Sequence, residues 1–352
     1  MEAPKRILII RPSALGDVCR SVPALASLRA AFPESEIDWL VRDVYSEAVS
    51  AHPMLTRIVP FARGQLRNWW RSTHAAAALR DFLHALCSAN YDLVIDLQGL
   101  ARSGFFAWST RAPRRIGLAD ARELGWLGLT ERIRVPRDTH TVDRMLAVVE
   151  GAGIPAVRDM RLCTTDAWRD SARGFSAGAR YALLAPTSAW AGKRWPIDRF
   201  RDVALHLLAN TNVERVVVVG GKSERDQCAP LLDLSTTDPR IVDAVGKTSV
   251  GELMALVESA AIVIANDSAA AHMAVGFDRP LVCLFGPTRI DRVGPYRREH
   301  DVLQHVAPGE RVTHKDEAAG RALMDRITTQ EVITASEQRL TGAPSVRVYD
   351  GP

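Results

Sequence analysis

Three places in this sequence put chemically capable side chains at the ends of apolar runs. The first is Arg6-Ile7-Leu8-Ile9-Ile10-Arg11-Pro12-Ser13-Ala14-Leu15-Gly16-Asp17-Val18. Residues 6–11 read as a buried strand and 19–32 as a helix. Asp17 then stands at the carboxyl end of the first strand, where open parallel sheets bind ligands. A dinucleotide-binding loop would carry Gly-x-Gly-x-x-Gly here. A single glycine and an acid suit a general base better than a pyrophosphate cradle. The second place is Ala265-Asn266-Asp267-Ser268-Ala269-Ala270-Ala271-His272, a strand end, a polar turn and a helix start. Asp267 or Ser268 can cap that helix. The small residues let a phosphate approach the free N–H groups of 268–270, with His272 one turn further in. An ordinary capped helix has the same pattern. The third place is Ala185-Pro186-Thr187-Ser188, followed by Trp190-Ala191-Gly192-Lys193-Arg194-Trp195-Pro196. Lys193 can neutralise a leaving diphosphate, although it also reads as a surface lysine. Phe285-Gly286-Pro287-Thr288 closes a further strand end with a rigid turn.

One base and one diphosphate-binding wall are the equipment of an inverting, metal-independent group transfer from a nucleotide-activated donor. The base takes the acceptor's proton, and the wall stabilises charge on the leaving diphosphate. There is no His-Glu-x-x-His or Asp-x-Asp motif, and the nine histidines are dispersed, so no metal or cofactor is expected. Gly220-Gly221 after a strand is not the nicotinamide fingerprint.

The elements that position these residues alternate between strand-like runs and helical patterns throughout, which predicts βαβ units and parallel sheets. Strands are expected at 6–11, 36–41, 57–60, 93–97 and 114–118, then at 181–185, 215–219, 241–244, 262–265 and 281–285. Thr328 and Glu331 form a capping box that opens a helix to about 340. The 352 residues suffice for two domains. We expect an N-terminal domain carrying the base at 1–165, a C-terminal donor-binding domain at 166–340, a linker near 160–180 with a weakly helical piece around Trp168, and a loose tail at 341–352. The two domains would face a cleft.

A net charge of +4 gives no case for nucleic acid. Arg63, Arg67 and Arg71 fall beside Trp69 and Trp70, a pairing that suits an anionic amphiphile or a membrane surface and equally a solvated face. Five scattered cysteines without a Cys-x-x-Cys pair predict reduced thiols in a cytoplasmic protein. No run approaches the roughly 20 apolar residues of a membrane span, so membrane contact is expected to be peripheral.

Taken in order, the motifs 11–18, Asp96-Leu97-Gln98-Gly99-Leu100, 193–196, 267–272 and 285–288 resemble those of glycosyltransferase family 9, the ADP-heptose:lipopolysaccharide heptosyltransferases. The resemblance runs from Arg6 to about Leu340 and implies the GT-B fold, an α/β architecture of two doubly wound Rossmann-like domains with a C-terminal helix. Residues 98–103 and 121–124 are similar to acceptor-side segments of the branch that adds the first heptose to Kdo on lipid A. The resemblance implies Asp17 as catalytic base, with Lys193, Thr187 and Ser188 at the donor phosphates. It implies Asp267, Ser268, Ala269 and His272 around the sugar diphosphate and Asp243 at the adenosine ribose. On the acceptor side it implies Ser13, Gly16, Gln98, Arg63, Arg67, Arg102 and Arg122. The partners implied are an ADP-sugar and an anionic glycolipid at the inner face of the inner membrane. The family's usual Asp-Ser/Thr-Gly turn is Asp267-Ser268-Ala269 here. The competing readings are a nucleotide-sugar 2-epimerase, a glycosyltransferase with another donor and acceptor, a binding protein that has lost catalysis, and, more remotely, a dehydrogenase. An epimerase needs several acid–base groups, where the first loop offers Asp17 alone, and a spent enzyme would be expected to lack Asp17 or Lys193.

Overall fold

The computed structural model describes residues 3–66, 70–307, 309–310, 313 and 315–342. The chain divides after Cys163 into two compact units. The first holds β1 (Arg6–Ile10), β2 (Glu36–Arg42), β3 (Arg57–Phe61), β4 (Leu93–Asp96), β5 (Arg114–Leu118) and β6 (Glu131–Ile133). They form one sheet in the order β3-β2-β1-β4-β5-β6. All pairings are parallel, with Ile7 opposite Ile37 on one side and Leu93 on the other. Ile7 to Ile10 are wholly buried, as a strand covered on both faces requires. The order reverses between β1 and β4, and that switch point opens a crevice at their carboxyl ends.

Two short helices, Leu15–Arg20 and Val22–Ala31, replace the single helix expected over 19–32. Pro23 has no N–H to donate and is accommodated in the first turn of the second helix, so the chain restarts at Ser21. Asp17 consequently lies in the first turn of a helix rather than in the loop before it. Ser72 caps the Thr73–Ser88 helix by accepting from the Ala75 N–H. This helix packs beside Ala101–Ser109 through Phe61, Phe82 and Phe106, whose ring centroids are 5.1–5.9 Å apart. The Ala101–Ser109 helix sits directly on the Gly125–Gly128 turn. A Cβ added to Gly104 would lie 2.0 Å from the Gly125 carbonyl oxygen, and one on Gly128 would lie 1.8 Å from that of Gly104.

The second unit repeats the arrangement. It holds β7 (Tyr181–Ala185), β8 (Arg215–Val218), β9 (Ile241–Asp243), β10 (Ile262–Asn266), β11 (Leu281–Leu284) and β12 (Val302–Leu303). Their order is β12-β11-β10-β7-β8-β9, with the reversal between β7 and β10. Leu184, Ile264, Trp195 and Phe200 lie in its core, together with Val332 and Ala335 of the Thr329–Thr341 helix. The Thr328–Glu331 capping box is present.

The weakly helical piece expected around Trp168 is a regular helix, Asp166–Ser176, capped by Thr165. Trp168 packs against Gly251, where an added Cβ would lie 2.3 Å from the indole. The strands β6 and β12 went unforeseen because three and two residues are too few to show alternation. The expected tail lies outside the described residues from 343 onward. The cysteines are free thiols, and burial pushes Cys19 and Cys228 up to about 12.

Candidate active site

In the first unit the switch point gathers Asp17, Ser13 and Gln98. Asp17 Oδ2 lies 3.1 Å from an Arg11 guanidinium nitrogen and accepts from the Ala14 N–H at 3.2 Å. Oδ1 is bonded by Arg20. Burial opposes ionisation of this carboxyl, but the Arg11 and Arg20 charges outweigh it and hold the group far below the usual carboxylate range. A quarter of the side chain remains exposed, enough for a substrate hydroxyl to reach it. The Ser13 N–H donates to Gln98 Oε1 at 3.1 Å, tying the end of β1 to the end of β4. Asp96 holds the Gln98-Gly99 turn by accepting from both N–H groups, at 2.9 and 3.2 Å, and from Ser103 Oγ at 2.8 Å. Its complete burial pushes its own carboxyl up. Gly16 lies beside Asp17 in the same helix turn.

Cations line the same strand ends. Arg102 begins the helix after β4, with its guanidinium 5.6 Å from the Phe61 ring centre. Partial desolvation and then the charge of Arg63 pull its pKa down, Glu123 opposing and Arg42 adding, so these charged groups are electrostatic neighbours. Arg63 is exposed in a one-turn helix after β3. Arg122 is exposed, and its backbone N–H donates to the Gly99 carbonyl at 2.9 Å. Arg67 and Trp69 lie outside the described residues. Trp70 is 63% exposed.

In the second unit the expected helix cap is absent. Ser268 is the N-cap of Ala269–Gly276, but neither its side chain nor that of Asp267 caps the helix. Asp267 is occupied elsewhere: its Oδ2 accepts from Lys193 Nζ at 2.7 Å and from Thr288 Oγ1 at 2.9 Å. Ser268 Oγ is buried with no protein partner among the described residues. The helix therefore presents its first N–H groups, a positive dipole end and a lysine at one strand end, an arrangement that can hold a phosphate. Ala269 is the first helical residue and has no positive φ, so its methyl replaces the family's glycine without backbone strain. His272 is buried one turn in.

Asn266 staples the switch point. Its Nδ2 donates to the Pro186 carbonyl at 2.6 Å, and its Oδ1 accepts from the Trp195 N–H at 3.2 Å. Trp195 is itself fixed in the core, its ring edge on Phe200 and its Nε1 donating to the Ile327 carbonyl. Thr187 Oγ1 donates to Glu224 at 2.9 Å, and the Ser188 N–H donates to Gln227 at 3.2 Å. Asp243 stands apart from the Lys193–Asp267 pair. It closes β9, two strands or about 10 Å across the sheet from β7. It is bonded by Arg225 and Lys247, both at 2.7 Å, which hold its carboxyl down against the effect of burial.

The sequence reading missed Arg11, Arg20, Asn266 and Glu224. Arg20 was within reach of it, because a basic residue three positions after Asp17 on a helix falls on the same face. Among the described residues no group of three or more His, Cys, Asp or Glu is placed to hold a metal.

Comparison with known proteins identifies the fold and the family. The chain is 26% identical over 322 residues to lipopolysaccharide heptosyltransferase 1 of Escherichia coli O18:K1:H7, spanning 88% of this chain and 93% of that one. A glycosyltransferase family 9 structure from Veillonella parvula superposes with a TM-score of 0.79 at 23% identity, covering 97% and 99% of the two chains. The E. coli heptosyltransferase WaaC with ADP-2-deoxy-2-fluoro heptose superposes with a TM-score of 0.73 at 24% identity, covering 95% and 99%. These solved structures share the two-sheet GT-B fold found here. The profile of glycosyltransferase family 9 (heptosyltransferase) matches residues 79–319, and the chain belongs to that family of glycosyltransferases.

Proposed function

We propose that this enzyme transfers a heptose from an ADP-sugar to a Kdo-bearing lipopolysaccharide core, with inversion and without a metal. The observation that carries the reading is the Lys193–Asp267 pair at the uncapped start of the Ala269–Gly276 helix. The names of its relatives point the same way: one is a lipopolysaccharide heptosyltransferase 1, and a solved structural neighbour holds an ADP-heptose analogue.

In this mechanism the second unit holds the diphosphate on helix N–H groups and Lys193, and Asp243 serves the ribose. Charge that grows on the leaving diphosphate is stabilised by donors already in place. Asp17 accepts the acceptor's proton. Two guanidiniums keep it ionised but make it a weak base. The proton therefore moves late, once the attacking hydroxyl has begun to bond to the anomeric carbon and has become strongly acidic. Arg63, Arg102 and Arg122, with Arg67, meet the anionic acceptor. Among the described residues no helix is long and apolar enough to cross a membrane; we place the enzyme peripherally at the cytoplasmic face of the inner membrane, where such an acceptor is anchored.

The test is product mass and anomeric configuration with ADP-heptose, ADP-glucose and UDP-GlcNAc offered alongside a Kdo-bearing acceptor. The expected result is an inverted heptosyl product from ADP-heptose, undiminished by EDTA. A preference for UDP-GlcNAc, or activity lost in EDTA and restored by Mg²⁺, overturns the reading.

A further inference from the structure

We propose that the exposed face of the Ala101–Ser109 helix, with the adjoining face of Thr73–Ser88, docks this protein on an anionic lipid surface. The proposal deepens the glycolipid reading by naming the surface, and its chemistry stands on the residues themselves. Phe105 and Trp108 are 43% and 59% exposed, and their rings stack with centroids 6.0 Å apart and planes 24° apart. They stand three residues apart on one helix face, while Ser103, Gly104, Phe106 and Ala107 face inward. Leu124 and Leu127, beside and on the turn under the same helix, are 62% and 59% exposed.

Between the two helices runs a groove of about 660 Å³, lined by Leu83, Phe105 and Trp108 and by Arg80, Arg111 and Arg115. Among the described residues no carboxylate lines it; Arg80 is bonded to the neighbouring Asp81 at 2.9 Å. Aromatic rings framed by cations suit an interface of acyl chains and anionic headgroups. A second copy of the chain fits poorly, because a two-fold contact would set this cationic rim against itself. The Phe61–Phe82–Phe106 cluster beneath makes the two helices a stiff platform. At 1.5 Å per residue, Trp108 lies about 9 Å along the helix axis from Arg102, so a lipid held there keeps its sugar head near the acceptor cations.

The experiment is co-sedimentation of the full-length protein with vesicles of phosphatidylethanolamine and phosphatidylglycerol, and with neutral phosphatidylcholine vesicles, none containing glycolipid. The parent should bind the anionic vesicles more strongly and lose that preference in high salt. Phe105→Ser/Trp108→Ser should weaken partitioning about tenfold or more, and Arg80→Gln/Arg111→Gln should remove the anionic preference. All four side chains are exposed, so melting temperature and transfer to a water-soluble acceptor should stay at parental values. Parent and variants that partition equally, or a parent that binds no vesicle, overturn the proposal. So does a parental dimer that the serine variant dissociates without any vesicle binding. Vesicle binding by a protein inactive on every donor would sink the transfer reading and leave the surface standing.

Discussion

Asp17 Oδ2 lies 3.1 Å from Arg11 while Arg20 bonds its other oxygen, so the carboxylate proposed to take a proton is itself held between two cations. Such a group is well aimed and always ionised, at the expense of basicity. This relationship governs how the enzyme should respond to acid and to substitution.

The folded pKa of Asp17 is depressed below the unfolded value of about 3.9. The ion pairs therefore contribute their full stability above about pH 4, and that contribution is lost as the pH falls towards the folded pKa. Between pH 5 and 8 the kcat/KM profile should contain no acid limb from Asp17. An acid limb in that range that shifts in Arg20→Lys would show that Asp17 titrates there after all.

Asp17→Asn keeps the shape and removes the base. Turnover should fall by about 10²–10⁴-fold with donor affinity little changed. The melting temperature should also drop, because Arg11 and Arg20 lose their shared counter-charge. Near-parental turnover would remove Asp17 from the mechanism.

Lys193→Ala removes a charge from the phosphate wall, so donor KM should rise and kcat fall together. Thr288→Val deletes only a hydroxyl that donates to the Asp267 carboxylate, and the loss of one hydrogen bond to a charged acceptor should cost about tenfold in kcat/KM. Equal losses in the two variants would mean that the role of Lys193 is to place Asp267, with no separate charge effect on the donor.

Arg63→Ala and Arg102→Ala should each raise acceptor KM and leave donor KM unmoved. Raising salt should reproduce part of the loss, since exposed charges are screened over about 10 Å at 0.1 M. A shift in donor KM alone would assign these residues elsewhere.

Much of this was legible in the sequence because both switch points follow long apolar strands, whose ends can be located from the apolar run. Asp17, Lys193 and Asp267 are all found at such ends. The pairing between them was not legible. Asp267 reads as a helix cap until Lys193 and Thr288 arrive from 74 positions before it and 21 after it to claim its carboxylate. Asn266 reads only as a polar turn residue, because its two bonds reach across the sheet to Pro186 and Trp195. The Asp166–Ser176 helix shows only weakly in the sequence, because its polar and small residues mask a stripe whose partner, Gly251, lies far along the chain.

The contact between Gly104 and Gly128 is main chain against main chain, with no room at either position for even a methyl. For anyone building chimeras between this enzyme and its relatives, residues 101–128 therefore behave as a single cassette. A crossover that splits the helix from its turn would join two surfaces that were never selected to nest together, whereas one placed outside the segment carries Arg102, Arg122 and the aromatic face across as one unit.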